Sequence, residues 1–347
     1  MKAVFYWFVS TLFRGYNYLY FRRVEVVGKE YLPKAGSLLF SPNHQGAFLD
    51  PIVLGSILSL PITYLTRGDV FGGRLQWFLD ALRTLPVYRI RNGFSSLKQN
   101  DTTFGHCYKI LAKGEHLMMF SEGLHHAEYY LHPLSKGSSR LMYQAQQKHP
   151  QQPMYIVPVG INYGNYTRPF GVLQLVIGPP IAIKDYLNEA KTPAQNINAL
   201  RDALIVAMKK TLWIPEKGEN YLTQEALLHP KNTRLPFHAL QKGLHESPSP
   251  LYAPPQWPFY ARSVVFMGYA AHFLPFLGLK KVLELFADKV FHNSIKYVFG
   301  LLILPLWWAL CVFYTVRYLG WAMALAVVCV QILLLYSRQY LLLYKKQ

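Results

Sequence analysis

Cysteine and acidic residues are scarce in this chain. Three cysteines in 347 residues (Cys107, Cys311 and Cys329), none in a CxxC spacing, exclude a disulfide framework and a zinc ribbon. Only 18 Asp+Glu face 36 Lys+Arg, which leaves a formal net charge of +18. Intrinsic disorder is excluded too, because a chain that is 52% hydrophobic and only 16% charged offsets its conformational entropy by burial. The N-terminus lacks the small-residue cleavage site of a signal peptide. What is present is a basic, apolar chain too long for one small core. Its partner is expected to be anionic: nucleic acid, anionic lipid or a phosphorylated substrate.

The apolar residues concentrate at the C-terminus. Residues 297–316 form an uncharged run of 20 residues, and residues 318–336 a run of 19 whose one strongly polar side chain is Gln331. Each meets the length of about 20 residues that a membrane-spanning helix needs. With Arg317 alone between them they predict a transmembrane hairpin, its turn at that residue. Lys280, Lys281, Lys289 and Lys296 precede it and Arg338, Lys345 and Lys346 follow it. The positive-inside rule then puts both outer ends, and the rest of the chain, on the cytoplasmic face. Residues 264–279 are apolar but short and contain His272 and Pro275, which favours a re-entrant or interfacial segment, with a third span as the alternative. Residues 1–29, aromatic-rich with Arg14, Arg22 and Arg23, read as an interfacial amphipathic helix. Basic residues gathered near apolar segments favour anionic membrane lipids over nucleic acid.

Between these ends, β-rich runs at 37–40, 62–66, 85–88, 116–120, 154–159 and 173–177 alternate with helical stretches at about 51–59, 70–83, 96–113, 136–148 and 194–213. The alternation predicts an α/β fold, a mixed sheet flanked by helices, over residues 30–214. Residues 215–258, rich in Pro, His and charge, read as a linker, and 259–347 as the membrane region.

Chemistry is expected in loops that follow strands. The first, SPNHQGAFLDP (41–51), holds His44 and Asp50. An imidazole and a carboxylate are what group transfer to a hydroxyl needs: one takes the proton, the other orients and stabilises the ring. On a regular helix these positions stand about 240° apart. They meet only if the segment bends, and Gly46 permits a bend. Asp50 before Pro51 equally suits a helix N-cap. LPVYRIRNG (85–93) carries Arg89 and Arg91 on one strand face, suited either to phosphate or to a solvated basic edge. MMFSEGLHH (118–126) supplies Glu122 and Gly123, able to orient substrate, with His125 and His126 beyond. No further ligand follows that histidine pair at a recognisable spacing, so neither a metal nor a cofactor is expected.

The four segments SPNHQGAFLD, LPVYRIRNG, FSEG and IVPVGINY, in that order, resemble the sequence blocks of the PlsC-type glycerolipid acyltransferases, the glycerol-3-phosphate and lysophosphatidate acyltransferases. The resemblance covers roughly residues 30–185. It implies a fatty acyl thioester donor, on coenzyme A or acyl carrier protein, and a glycerolipid acceptor whose hydroxyl attacks directly. It also implies His44 as general base, Asp50 as its partner, and Arg89 and Glu122 as acceptor-binding. Three departures stand out: five residues instead of four separate His44 from Asp50, Ser121 stands for a proline, and Leu124-His125 for Thr-Arg. That arginine is associated in the family with the acceptor phosphate. Arg89, Arg91 and Lys136 are the cations left to replace it, and a phosphate-free or amino-acid lysolipid is the alternative acceptor. A basic membrane-binding scaffold is the alternative from another class. His44, Asp50, Glu122 and Gly123 kept together argue against it.

Overall fold

The structure is a computed structural model that describes residues 2–73, 76–88, 95–245 and 257–344. Eight strands form one sheet: β1 (Arg23–Val27), β2 (Ser37–Pro42), β3 (Ile62–Arg67), β4 (Thr84–Val87), β5 (His116–Met118), β6 (Met154–Tyr163), β7 (Val172–Ile177) and β8 (Ile181–Ala182). Their order is β1-β7-β6-β2-β5-β3-β4, with β8 also paired to β6. The β6/β7 and β6/β8 pairs are antiparallel and the rest parallel, so the sheet is mixed, as the alternation of elements predicts.

Helices α1 (Lys2–Tyr20), α2 (Leu49–Leu58), α3 (Gln76–Ala81), α4 (Ser95–Ala112), α5 (Gly137–Lys148) and α6 (Pro193–Lys209) cover the sheet. β2 shows why an uninterrupted apolar run suits a central strand. Leu39 enters the core beneath α4, α5 and α6, while Leu38 and Phe40 enter the opposite core with α1 and α2, so both faces are dry. α6 begins where its sequence says it should. Thr192 and Gln195 form a reciprocal capping box, and Pro193 occupies the first turn.

Two segments differ from the sequence reading. Residues 23–27, placed with the N-terminal interfacial helix, are β1, an edge strand parallel to β7. Its half-buried RVEVV mixes charge with apolar residues and gives little strand signal. Within 215–258, read as linker, α7 (Tyr221–Ala226) and α8 (Phe237–His245) pack Tyr221, Phe237, Leu240 and Leu244 around Trp213. These four apolar residues, spread among Pro, His and Lys, join a small satellite core with Trp213, Ile214 and Tyr129, a pattern that composition averages away.

α9 (Ala261–Ala271) and α10 (Phe273–Glu284) meet at 87° on His272. α11 (Val290–Leu343) is 54 residues long and apolar enough to cross a membrane. It is broken at Gly320 (φ 80°, ψ 173°), a conformation open essentially to glycine alone. The Gln331 Nε2 lies 3.4 Å from Cys311 Sγ, whereas 20 residues of straight helix would separate them by about 30 Å. The helix therefore folds back on itself as the expected hairpin, turning at Gly320 rather than Arg317. Arms of about 45 and 35 Å each exceed a hydrocarbon core of about 30 Å. Their flanks are bare, with Leu306, Phe313, Trp321 and Leu333 each at least 66% exposed. Such a surface marks the protein for membrane association. The α9–α10 bend frees the Ala271 carbonyl, and Trp307 Nε1 donates to it from the first arm, as apolar surroundings demand.

Candidate active site

β2, β5 and β6 lie side by side and parallel, so the segments after all three leave the same edge of the sheet. His44 follows β2, Glu122 follows β5, and Tyr163 ends β6. β4, which precedes Arg89 and Arg91, ends at that edge three strands from β2, about 14 Å away. Arg89 and Arg91 themselves lie outside the described residues.

The His44 Nδ1 and Asp50 Oδ2 are 2.8 Å apart, with Asp50 fully buried and the His44 side chain 17% exposed. Asp50 also accepts the Gly46 N–H (2.9 Å) and the Tyr163 hydroxyl (2.8 Å). It sits in the first turn of α2 and makes no capping bond, so the capping alternative gives way to a carboxylate committed to His44. The bend arises differently from the sequence expectation. The left-handed residue is Ala47 (φ 47°), while Gly46 is needed for space: a Cβ there would lie 2.5 Å from Asp50 Oδ1 and 3.0 Å from the Tyr163 hydroxyl. Burial and the Asp50 charge push the Tyr163 phenol well above its usual range, which keeps it a donor. The His44 ring stacks on Phe120 (centroids 3.9 Å apart), and among the described residues its Nε2 makes no hydrogen bond.

Glu122 stands behind this pair. One carboxylate oxygen accepts the His44 backbone N–H (3.1 Å); the other meets His126 Nε2 and accepts the His132 N–H (3.3 Å). A buried carboxylate so engaged holds the His44 backbone and offers little to a substrate. Gly123 (φ 73°) makes the left-handed turn that carries the chain from Glu122 to His126, whose N–H bonds the His44 carbonyl. Glu122, His126 and His132 bring one potential ligand atom each within 4.8 Å of one another. The two imidazoles, however, stack at 3.6 Å and 14°, and His132 Nε2 is 2.9 Å from Glu128. Parallel rings aim their lone pairs along separate planes, so joint ligation would require them to unstack.

His125 pairs with Asp288 (2.9 Å) at the entry to α11, 5.6 Å from the His44 ring. Burial raises the Asp288 carboxyl, but the Val290 N–H and His125 outweigh it and hold the group below its usual range, hence ionised. Lys136 is exposed at the start of α5, and no contact joins it to His44 or His125 among the described residues.

Three contributors are not evident from sequence. Tyr163 ends a strand that reads as structural. Ser121 joins Ser41 (2.6 Å) and Ser138 (2.8 Å) in a buried hydroxyl chain that ties the ends of β2 and β5 to α5, a role closed to the proline it replaces. Ser294, on α11, donates to the Gly46 carbonyl and accepts the Leu49 N–H (3.1 Å).

Comparison with known proteins places this edge in context. Residues 5–162 match the family model described as Acyltransferase, a stretch that runs from α1 into β6 and includes His44, Asp50 and Glu122. Among solved structures, the chain is similar to the crystal structure of the 1-acyl-sn-glycerophosphate (LPA) acyltransferase PlsC from Thermotoga maritima. Identity is 17% and the TM-score 0.38, over 56% of this chain and 76% of that one. No curated protein matches the chain.

Proposed function

We propose that the protein is a membrane-bound O-acyltransferase that moves a fatty acyl group from a thioester, on coenzyme A or acyl carrier protein, to the hydroxyl of a glycerolipid acceptor. The observation that carries this reading is the His44–Asp50 pair, with one ring nitrogen committed to a buried carboxylate and the other unengaged. His44 Nε2 takes the acceptor's proton as its oxygen attacks the thioester carbonyl. The new C–O bond forms, the C–S bond breaks, and the leaving thiolate takes the proton from the imidazolium, with no acyl-enzyme. Asp50 fixes the tautomer and offsets the transient charge. Glu122 and Phe120 position the ring and do not touch substrate. The cationic base of the hairpin supports a catalytic domain on the cytoplasmic face of the membrane.

For the acceptor, the resemblance of the sequence blocks to those of the glycerolipid acyltransferases favours glycerol-3-phosphate or a lysophospholipid, with Arg89, Arg91 and Lys136 as the cations for its phosphate. A second reading is favoured by one specific contact. Asp288 sets a carboxylate beside His125, where the family has an arginine, and this suits a phosphate-free or amino-bearing lysolipid. The deciding experiment incubates full-length protein and labelled acyl thioester with glycerol-3-phosphate, lysophosphatidate or phosphate-free lysolipids in separate reactions. Acyl transfer by His44→Ala at the parent rate would refute the base assignment.

A further inference from the structure

Four cations lie at the base of the hairpin, with Arg168 and Arg338 close enough for Lys296 to feel their charge and Arg22 beside Tyr340 and Tyr344. Arg22 lies over the Tyr340 ring at 4.8 Å and donates to the Tyr344 hydroxyl (3.3 Å). Arg168 donates to the Leu342 carbonyl, and Lys296 to the Thr167 carbonyl (2.8 Å). Arg338 stacks on Phe276 at 4.5 Å, and its Nε is buried without a partner. Among the described residues none of the four pairs with a carboxylate. Burial and the charges of Arg168 and Arg338 push the Lys296 ammonium down to about 8. Half-buried like charges without a counterion are unfavourable in a protein, so the cluster is incomplete as it stands.

A crevice of about 380 Å³ lies next to them in sequence and contact, its own wall made of Phe170, Tyr260, Val264, Tyr336, Ser337, Tyr340 and Leu341, with Arg22 stacked on the Tyr340 ring. Aromatic side chains next to cations, at the level where an apolar hairpin leaves its domain, match the boundary between acyl chains and headgroups. We propose that this crevice binds one anionic phospholipid, its phosphate among Arg22, Arg168, Lys296 and Arg338 and its glycerol and upper acyl chains against the aromatic wall. The proposal rests on the hairpin's place in a bilayer and is independent of the chemistry at His44.

The test is thermal unfolding of full-length protein in dodecyl maltoside with dioleoylphosphatidylglycerol, dioleoylphosphatidylcholine or inorganic phosphate added. Phosphatidylglycerol is expected to raise Tm by about 5 °C and the other two by much less. Arg168→Gln and Lys296→Met are each expected to remove more than half of that increment. Lys296→Met is also expected to raise the Tm of lipid-free protein, because it deletes one of the repelling charges. If Arg168→Gln fails to fold, Lys296→Met decides alone. Equal stabilisation by both lipids overturns the site, and an equal increment from inorganic phosphate overturns the lipid as its occupant. An unchanged increment in Lys296→Met, or a lipid-free variant no more stable than its parent, overturns the placement. Absent acyl transfer with the lipid increment intact would count against the enzymatic reading alone.

Discussion

Ser294 and Gly46 stand 248 residues apart in sequence, yet the Ser294 hydroxyl donates to the Gly46 carbonyl inside the bend that joins His44 to Asp50. The same oxygen accepts the Leu49 N–H, so one buried side chain of the membrane hairpin clamps both sides of the bend. The geometry of the dyad thus depends on an element outside the acyltransferase match.

Ser294→Ala removes one partner from the Gly46 carbonyl and one from the Leu49 N–H, which then keep only their bond to each other (2.9 Å), a loss of about 0.5–1.5 kcal/mol. Felt at the dyad, this is expected to lower kcat roughly tenfold with little change in KM for the thioester. Steady-state kinetics check it, and an unchanged kcat would show that the hairpin does not set the loop.

Gly46→Ala tests the close approach. A Cβ at that position collides with the Asp50 carboxylate and with Tyr163, not with a mobile surface chain. Acyl transfer is expected to fall by about two orders of magnitude or more while circular dichroism stays that of the parent, since the bend is local. Retained activity would mean that the His44–Asp50 contact is dispensable.

The His125–Asp288 pair predicts acceptor choice. Asp288→Asn combined with His125→Arg replaces an ionised carboxylate and an imidazole by a lone guanidinium. Relative kcat/KM for lysophosphatidate over a phosphate-free lysolipid is expected to rise about tenfold. An unchanged ratio would detach this position from recognition of the headgroup.

Lys296 predicts a pH dependence of stability. Its folded pKa of about 8 lies below the ordinary 10.5, so between these values the unfolded chain binds more protons and stability rises with pH. Lipid-free protein is expected to gain Tm between about pH 8 and 9.5, and Lys296→Met to lack that portion of the gain. Scanning calorimetry of the two proteins across this range measures the difference, and parallel curves would contradict it.

His44 and Asp50 were legible in the sequence because residue type, spacing and position after an apolar strand all pointed to one loop. β2, β6 and β7 were legible for a related reason: a strand buried on both faces leaves a continuous apolar run. Glu122 was legible as a residue that follows a strand, but only the structure reveals that both its oxygens face protein groups. Tyr163 and Ser294 escaped because their importance lies in a single contact across many residues, and a lone hydroxyl in an apolar segment has no periodicity to betray it. β1 and the packing of α7 and α8 escaped because each buries only a few side chains among charged neighbours.

Synthesis runs from the N-terminus, so the loop holding His44 and Asp50 leaves the ribosome long before Ser294 does. Until the last helix is made, the Gly46 carbonyl and the Leu49 N–H have each other but not the serine hydroxyl that bridges them. A fragment ending ahead of Val290 would therefore be a poor stand-in for the full chain, since the bend between His44 and Asp50 lacks that clamp.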